Sequence, residues 1–148
     1  MRRKISILLT FVLLVCAMSI PAYAAEEPAM RVQTIQTQQG EILIETTLTI
    51  EDVQFYSESK RASKKQVYKH NGDTIAEVVL TATFGYDGDS AWVISTDSSH
   101  TTYSGWSYGN ERITDSGNRA KLTAKLTYPG DSVSVNLSMT CTPSGQIS

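Results

Sequence analysis

The last third of the chain alternates strictly between apolar and polar residues, and this alternation constrains the fold more than any other feature. Every second residue is apolar over residues 120–128, and again over residues 133–141 after a Pro-Gly-Asp turn. A period of two predicts strands with one buried face, because successive side chains point to opposite sides of a strand. We therefore predict a hairpin whose core includes these residues: Leu122, Leu126, Val135 and Leu137.

Similar patterns occur earlier in the chain. Residues 42–50 and 76–86 alternate in the same way, and residues 90–96 read as a short strand carrying Trp92 and Ile94. Asn71-Gly72 favours a two-residue hairpin turn, since both residues tolerate positive φ angles. We expect an irregular strand over residues 103–113, a solvated loop or edge over residues 57–66, and a second polar break over residues 97–102.

These patterns predict the fold class, because no stretch shows a sustained helical period. About seven short strands, each with one polar face, indicate an all-β domain over residues 41–148. The expected architecture is an antiparallel β-sandwich of the immunoglobulin-like kind. The Cys…Trp…Cys spacing of immunoglobulin domains is absent, so the topology is left open.

The first residues are typical of an export signal. A basic head of residues 2–4 precedes an apolar run over residues 5–20, and Ala22-Tyr23-Ala24 offers small residues at a cleavage site. We predict that residues 1–24 are a cleaved signal peptide, that the protein is secreted, and that no stable membrane span remains. Residues 25–40 are Gln-rich and are predicted to be a flexible segment.

Charge and cysteine content narrow the function classes. The chain has 13 Lys+Arg and 15 Asp+Glu, and loss of residues 2–4 leaves a mature charge of about −5. An acidic surface argues against nucleic acid or an anionic membrane as the main partner. Residues 57–66 nevertheless hold four cations, which fit a solvated loop better than a basic patch for an acidic partner.

Cys16 leaves with the signal, so Cys141 stands alone in the mature chain and an internal disulfide is impossible. Cys141 continues an alternating apolar face, and we expect a buried, inert thiol rather than a nucleophile or an intermolecular bridge. Two histidines and one cysteine do not form a zinc spacing, and we predict no metal or other cofactor.

Residues 68–147 resemble a family of small secreted proteins of Gram-positive bacteria that are widespread and mostly uncharacterised. The resemblance lies in the run YKHNGDTIAEVVLTATFGYDGDSAW, the SGWS motif, a Gly-Asn turn and the ending CTPSGQIS. It implies an exported all-β domain and brings no catalytic residues. Such relatives often carry a second cysteine near position 92, where this chain has Trp92-Val93.

One motif suggests catalysis. Residues 105–109 read G-x-S-x-G, which in hydrolases places a serine, here Ser107, on a turn between a strand and a helix. No helical pattern follows, and Ser and Gly are abundant enough for chance matches. A small secreted serine hydrolase using Ser107 with His100 is therefore an alternative, and so is a secreted toxin or immunity factor.

An aromatic group is the preferred binding surface. Alternation places Trp106 and Tyr108 on one face and Tyr103 on the other, and exposed rings can stack on sugars or anchor a protein. We expect Trp92 in the core, while Trp106 fits a core position and a platform equally well. The preferred hypothesis is a secreted, non-enzymatic binding module that recognises a cell-surface protein or glycan through Trp106, Tyr108 and Tyr103.

Overall fold

The computed structural model describes residues 29–52 and 58–148. In these residues the strands form two antiparallel sheets. The predicted signal peptide lies outside the described residues. Within the described ranges there are eight strands and no helix. The strands are β1 Ala29–Thr37, β2 Gly40–Asp52, β3 Ser59–His70, β4 Asp73–Tyr86, β5 Ala91–Thr102, β6 Ser107–Ser116, β7 Arg119–Tyr128 and β8 Asp131–Thr140.

Each sheet is a meander in chain order. The larger sheet has the order β1-β2-β3-β4-β5 and the smaller one has the order β6-β7-β8. The predicted all-β sandwich is confirmed, with eight strands in the described chain where we expected about seven. Within the described residues, each sheet consists of strands that follow one another in the chain. This distinguishes the topology from the Greek key of immunoglobulin domains.

The core lies between the two sheets and is built from the alternating residues. All four predicted core residues of the last hairpin are buried, and Leu122 lies directly opposite Leu137. Cys141 is also fully buried, as predicted, and burial raises the pKa of its thiol. The larger sheet contributes these side chains from β2, β3 and β4: Ile42, Tyr68, Val78, Leu80 and Phe84.

The predicted turns are present. Asn71 and Gly72 have φ angles of 52° and 89°, so they form the two-residue turn between β3 and β4. At the next hairpin the Oδ1 atom of Asp87 accepts the N–H groups of Asp89 and Ser90. This side-chain bond to the backbone explains why an Asp-Gly-Asp sequence ends β4.

Three predictions of irregular structure are wrong. β1 covers Ala29–Thr37, inside the segment that we expected to be flexible up to residue 40. The polar stretch over residues 57–66 becomes strand from Ser59 onward, and β5 continues through the second polar stretch to Thr102. In all three places the backbone pairs regularly with a neighbour although the side chains are mostly polar.

Candidate ligand-binding site

The predicted aromatic platform does not form, because Trp106 is buried. Its side chain is only 6% exposed and packs against Tyr128, with the ring centroids 5.3 Å apart. Ser104 and Gly105 have φ angles of 54° and 81°, and this tight loop folds Trp106 over one end of the sandwich. Trp106 therefore closes the core at that end.

Tyr108 is half-buried and holds the two sheets together at one side. Its ring stacks on His100 of β5 with centroids 3.8 Å apart, and its hydroxyl donates to Glu111 at 2.6 Å. Ser98 of β5 donates to the other oxygen of Glu111 at 2.9 Å. Burial, and then the bond to Glu111, raise the pKa of Tyr108. A break in the β6–β7 register next to Gly109 places Glu111 where it can reach β5.

Tyr103 alone of the three predicted site residues has an exposed ring, at 44%. The hypothesis that Trp106 and Tyr108 are exposed together is corrected, since one caps the core and the other joins β5 to β6.

The prediction for Trp92 is wrong as well. Trp92 is 42% exposed and lies opposite Gly85 on the outer face of the larger sheet, while Val93 packs against the core beside Phe84. A Cβ atom added to Gly85 would lie 2.5 Å from Cε2 of Trp92, so the indole lies flat across the glycine. A register shift between Thr83 and Phe84 sets this phase, and alternation in the sequence does not reveal such a shift.

The residues of the hydrolase alternative are separated. Ser107 is the first residue of β6, is exposed, and is followed by strand rather than by a helix. Tyr108 faces the sheet interface and stacks on His100, so alternation directs the Ser107 side chain to the opposite face. The strand-turn-helix geometry that gives the motif its chemistry is therefore not found around Ser107.

A cleft at the opposite side of the sandwich is the strongest candidate site. The five-stranded sheet extends beyond β8, and the space of about 680 Å³ left over its inner face lies within the range of small-molecule sites. Ile147 and Ser148 close one end, where the main chain of Ser148 pairs with Thr140. The floor consists of two residues from each of β1, β2 and β3: Arg31 and Gln33, Thr46 and Leu48, and Lys64 and Gln66.

Strand pairing arranges the floor in rows. Arg31, Thr46 and Gln66 lie side by side across three strands, and Lys64 lies in the next row beside Leu48. Two hydrogen bonds fix the side-chain amide of Gln66. Its nitrogen donates to the hydroxyl of Thr46 at 3.4 Å, and its oxygen accepts a hydrogen bond from the hydroxyl of Tyr68 at 2.7 Å. The floor therefore presents fixed amide and hydroxyl groups rather than an apolar surface.

The cleft contains two cationic side chains. Arg31 and Lys64 both line it, and no acidic side chain is among the residues that line it. Lys64 donates to the carbonyl oxygen of Ser138 at 2.7 Å, on the free edge of β8. Burial, and then the nearby charge of Arg31, lower the pKa of Lys64.

Sequence reasoning missed this site for a definite reason. It noticed Lys64 only as one of four cations in a presumed loop, and it placed Arg31 and Gln33 in a flexible segment. The available signal was phase: Arg31 and Gln33 share the parity of Ile35, as Lys64 and Gln66 share that of Tyr68. Polar residues at every second position from a buried residue lie on the same face of the strand as that residue. They indicate that the other sheet covers this face only in part.

Other kinds of site leave no sign in the described part of the chain. Over residues 29–52 and 58–148 no three His, Cys, Asp or Glu side chains are grouped as metal ligands. Nor do those residues contain a helix with the length and apolarity needed to span a membrane. Comparisons with family models, with curated proteins and with solved structures found no match for the chain.

Proposed function

We propose that the protein is a secreted, non-enzymatic binding module that recognises a protein or glycan at the cell surface. The single observation that carries the proposal is the cleft between β8 and the floor formed by β1, β2 and β3. A β-sandwich normally fills the space between its sheets with apolar side chains. Here part of that space is open and lined by amides, hydroxyls and two cations, which is the composition of a recognition surface.

The size of the cleft supports binding of a small group or a chain of small units. Its volume of about 680 Å³ would hold one or two sugar rings or a few residues of an extended peptide. The strands that form the floor are long and regularly paired, so the site would be largely preformed. Binding to a preformed site avoids the entropic cost of ordering loops.

Two tryptophan variants of β1 test the proposal. Gln33→Trp places a bulky ring in the cleft, while Thr34→Trp places it on the opposite face of the same strand, since neighbouring side chains alternate. Both positions are exposed, so both variants should fold. The experiment is capture of envelope proteins and glycans from the producing cells with immobilised wild type and each variant.

We expect wild type and Thr34→Trp to capture the same partner and Gln33→Trp to lose it. Equal capture by all three proteins would show that the partner binds outside the cleft. No capture by any of them would contradict a surface-binding role.

A further inference from the structure

The cations of the cleft differ from those on the outer face of the same sheet. On the outer face Lys65 contacts Glu77 at 2.7 Å, and Lys69 contacts Glu45 at 2.9 Å. Lys64 directly precedes Lys65 in the sequence but faces the cleft, and it forms no ion pair within the described residues. Arg31 likewise contacts no carboxylate there. The sheet therefore pairs these two outer lysines with carboxylates, whereas the two inner cations make no such contact within the described residues.

This arrangement is unfavourable for the charged form of Lys64, which is half-buried, whereas Arg31 beside it is exposed. Moving a charge out of water is unfavourable without a partner, and two like charges near each other add repulsion. Among the residues that the structure describes, Lys64 donates to the neutral carbonyl of Ser138 and to no carboxylate. A carboxylate or phosphate between Arg31 and Lys64 would pair with both, and an arginine can bind either group with two parallel hydrogen bonds.

The neighbouring polar groups indicate what carries the anion. Gln33, Thr46 and Gln66 surround the two cations on the floor. Amide and hydroxyl side chains both donate and accept hydrogen bonds, which suits the hydroxyl groups of a sugar or polyol. None of the described residues that line the cleft is aromatic, so we do not invoke stacking on a flat ring as the main mode of binding.

We infer that the cleft binds an acidic saccharide or polyol chain, with its carboxylate or phosphate held between Arg31 and Lys64 and its hydroxyl groups on Gln33, Thr46 and Gln66. The inference rests on the proposed function and specifies the class of its ligand. The whole chain carries a formal charge of −2, so the positive site is local. A local site favours a single anionic group on a narrow chain over a broad polyanionic surface such as duplex nucleic acid.

The test uses four probes and two double variants. The acidic probes are hexagalacturonate, which carries carboxylates, and a glycerol phosphate hexamer, which carries phosphates. Maltohexaose is the neutral control, and inorganic phosphate tests for binding of the bare anion. The variant Arg31→Gln/Lys64→Gln removes the cleft cations. Arg61→Gln/Lys121→Gln removes the same charge from exposed positions outside the cleft.

Binding is measured by titration calorimetry at low and at physiological salt. We expect wild type and the outer variant to bind at least one acidic hexamer within about twofold of each other. The cleft variant should bind it at least about tenfold more weakly, as expected for loss of charge-assisted hydrogen bonds. Affinity should fall as salt rises, and maltohexaose should bind far more weakly. Preference for one acidic hexamer would identify the anion as carboxylate or phosphate.

Three results would overturn the inference: equal binding by wild type and the cleft variant, equal losses in both variants, or binding of maltohexaose as tight as that of the acidic hexamers. Binding of inorganic phosphate alone, with neither hexamer bound, would also overturn it, because the saccharide or polyol part would then play no role. Failure of the inference is distinguishable from failure of the proposed function. Suppose that wild type and Arg31→Gln/Lys64→Gln capture a partner and that Gln33→Trp loses it. The cleft would then be the binding site, but its ligand would not be held by an anionic group.

Discussion

The inner face of the larger sheet has two halves that differ in chemistry although they belong to the same strands and sheet. Where β3 and β4 face the smaller sheet, the space holds apolar side chains such as Leu80 and Leu122. Where β1, β2 and part of β3 extend beyond β8, it holds Arg31, Lys64 and amides. The half covered by the second sheet stabilises the fold, and the uncovered half forms the cleft that we propose as the binding site.

The apolar and polar halves meet without an intervening row of residues. Tyr68 is fully buried in the core, yet its hydroxyl reaches Gln66 on the floor of the cleft at 2.7 Å. Lys64 and Leu80 are directly opposite each other on neighbouring strands, one in the cleft and one in the core. Substitutions on the two sides should therefore differ sharply in their effects on stability.

The largest effect is expected in the apolar half. Leu122→Ala should lower the free energy of unfolding by about 2–5 kcal/mol, because it leaves a cavity between the sheets. Lys121→Ala is the matched control, since Lys121 is the exposed neighbour on the same strand, and it should change stability by less than about 0.5 kcal/mol. Urea unfolding measures both. Equal stabilities for Leu122→Ala and wild type would contradict the packing of the apolar half.

The second effect concerns the boundary and depends on pH. Burial raises the pKa of Tyr68 above its value in the unfolded chain, which is about 10. Ionisation of Tyr68 therefore favours unfolding, so its contribution to stability is complete below pH ~10 and is lost as the pH rises further. Tyr68→Phe should lower stability at pH 8 by about 1 kcal/mol, since Gln66 loses a hydrogen bond.

Between pH 8 and pH 11 the stability of Tyr68→Phe should fall less steeply than that of wild type, as measured by urea unfolding at each pH. The residual slope includes Tyr108, whose pKa is also raised. Tyr103→Phe alters an exposed phenol and should follow the wild-type curve. If the free energy of unfolding fell with pH equally in wild type and Tyr68→Phe, ionisation of Tyr68 would not contribute to the loss of stability at alkaline pH.

The two halves also explain how far the sequence predicts the structure. Alternation found β2, β4, β7 and β8, because their inner residues are apolar and lie under the other sheet. It missed β1 and half of β3, whose inner residues include Gln33 and Lys64, and it missed the end of β5, where Ser98 and His100 face β6. A strand whose inner face is exposed to solvent carries polar residues there, so its sequence shows no hydrophobic period of two.

The candidate site was hidden by the same effect. Four of its floor residues, Arg31, Gln33, Lys64 and Gln66, lie on strand segments that hydrophobic patterning could not identify, so they were assigned to a loop or to a flexible segment. The other two, Thr46 and Leu48, lie on β2, which the pattern did find. The aromatic group attracted attention because Trp and Tyr often mark binding surfaces. In this fold Trp106 and Tyr108 instead close one end and one side of the sandwich.

The smallest effect on stability is expected in the polar half. The pKa of Lys64 is lowered, mainly by burial, so the folded protein binds this proton less tightly than the unfolded chain does. At pH values below the folded pKa the full cost of the charge is present, and stability rises as the pH increases from the folded towards the unfolded pKa. Lys64→Gln removes that cost but also the hydrogen bond to Ser138.

The two contributions oppose each other, so at pH 7 Lys64→Gln should lie within about 0.5 kcal/mol of wild type. Added NaCl sharpens the test, because it screens the repulsion between Lys64 and Arg31. Between 0.02 and 0.5 M NaCl, wild type should therefore gain more stability than Lys64→Gln in urea unfolding. A loss above about 1 kcal/mol in Lys64→Gln, with no difference in salt response, would make Lys64 a structural residue. The polar half would then stabilise the fold as the apolar half does, and the distinction between the two halves would fail.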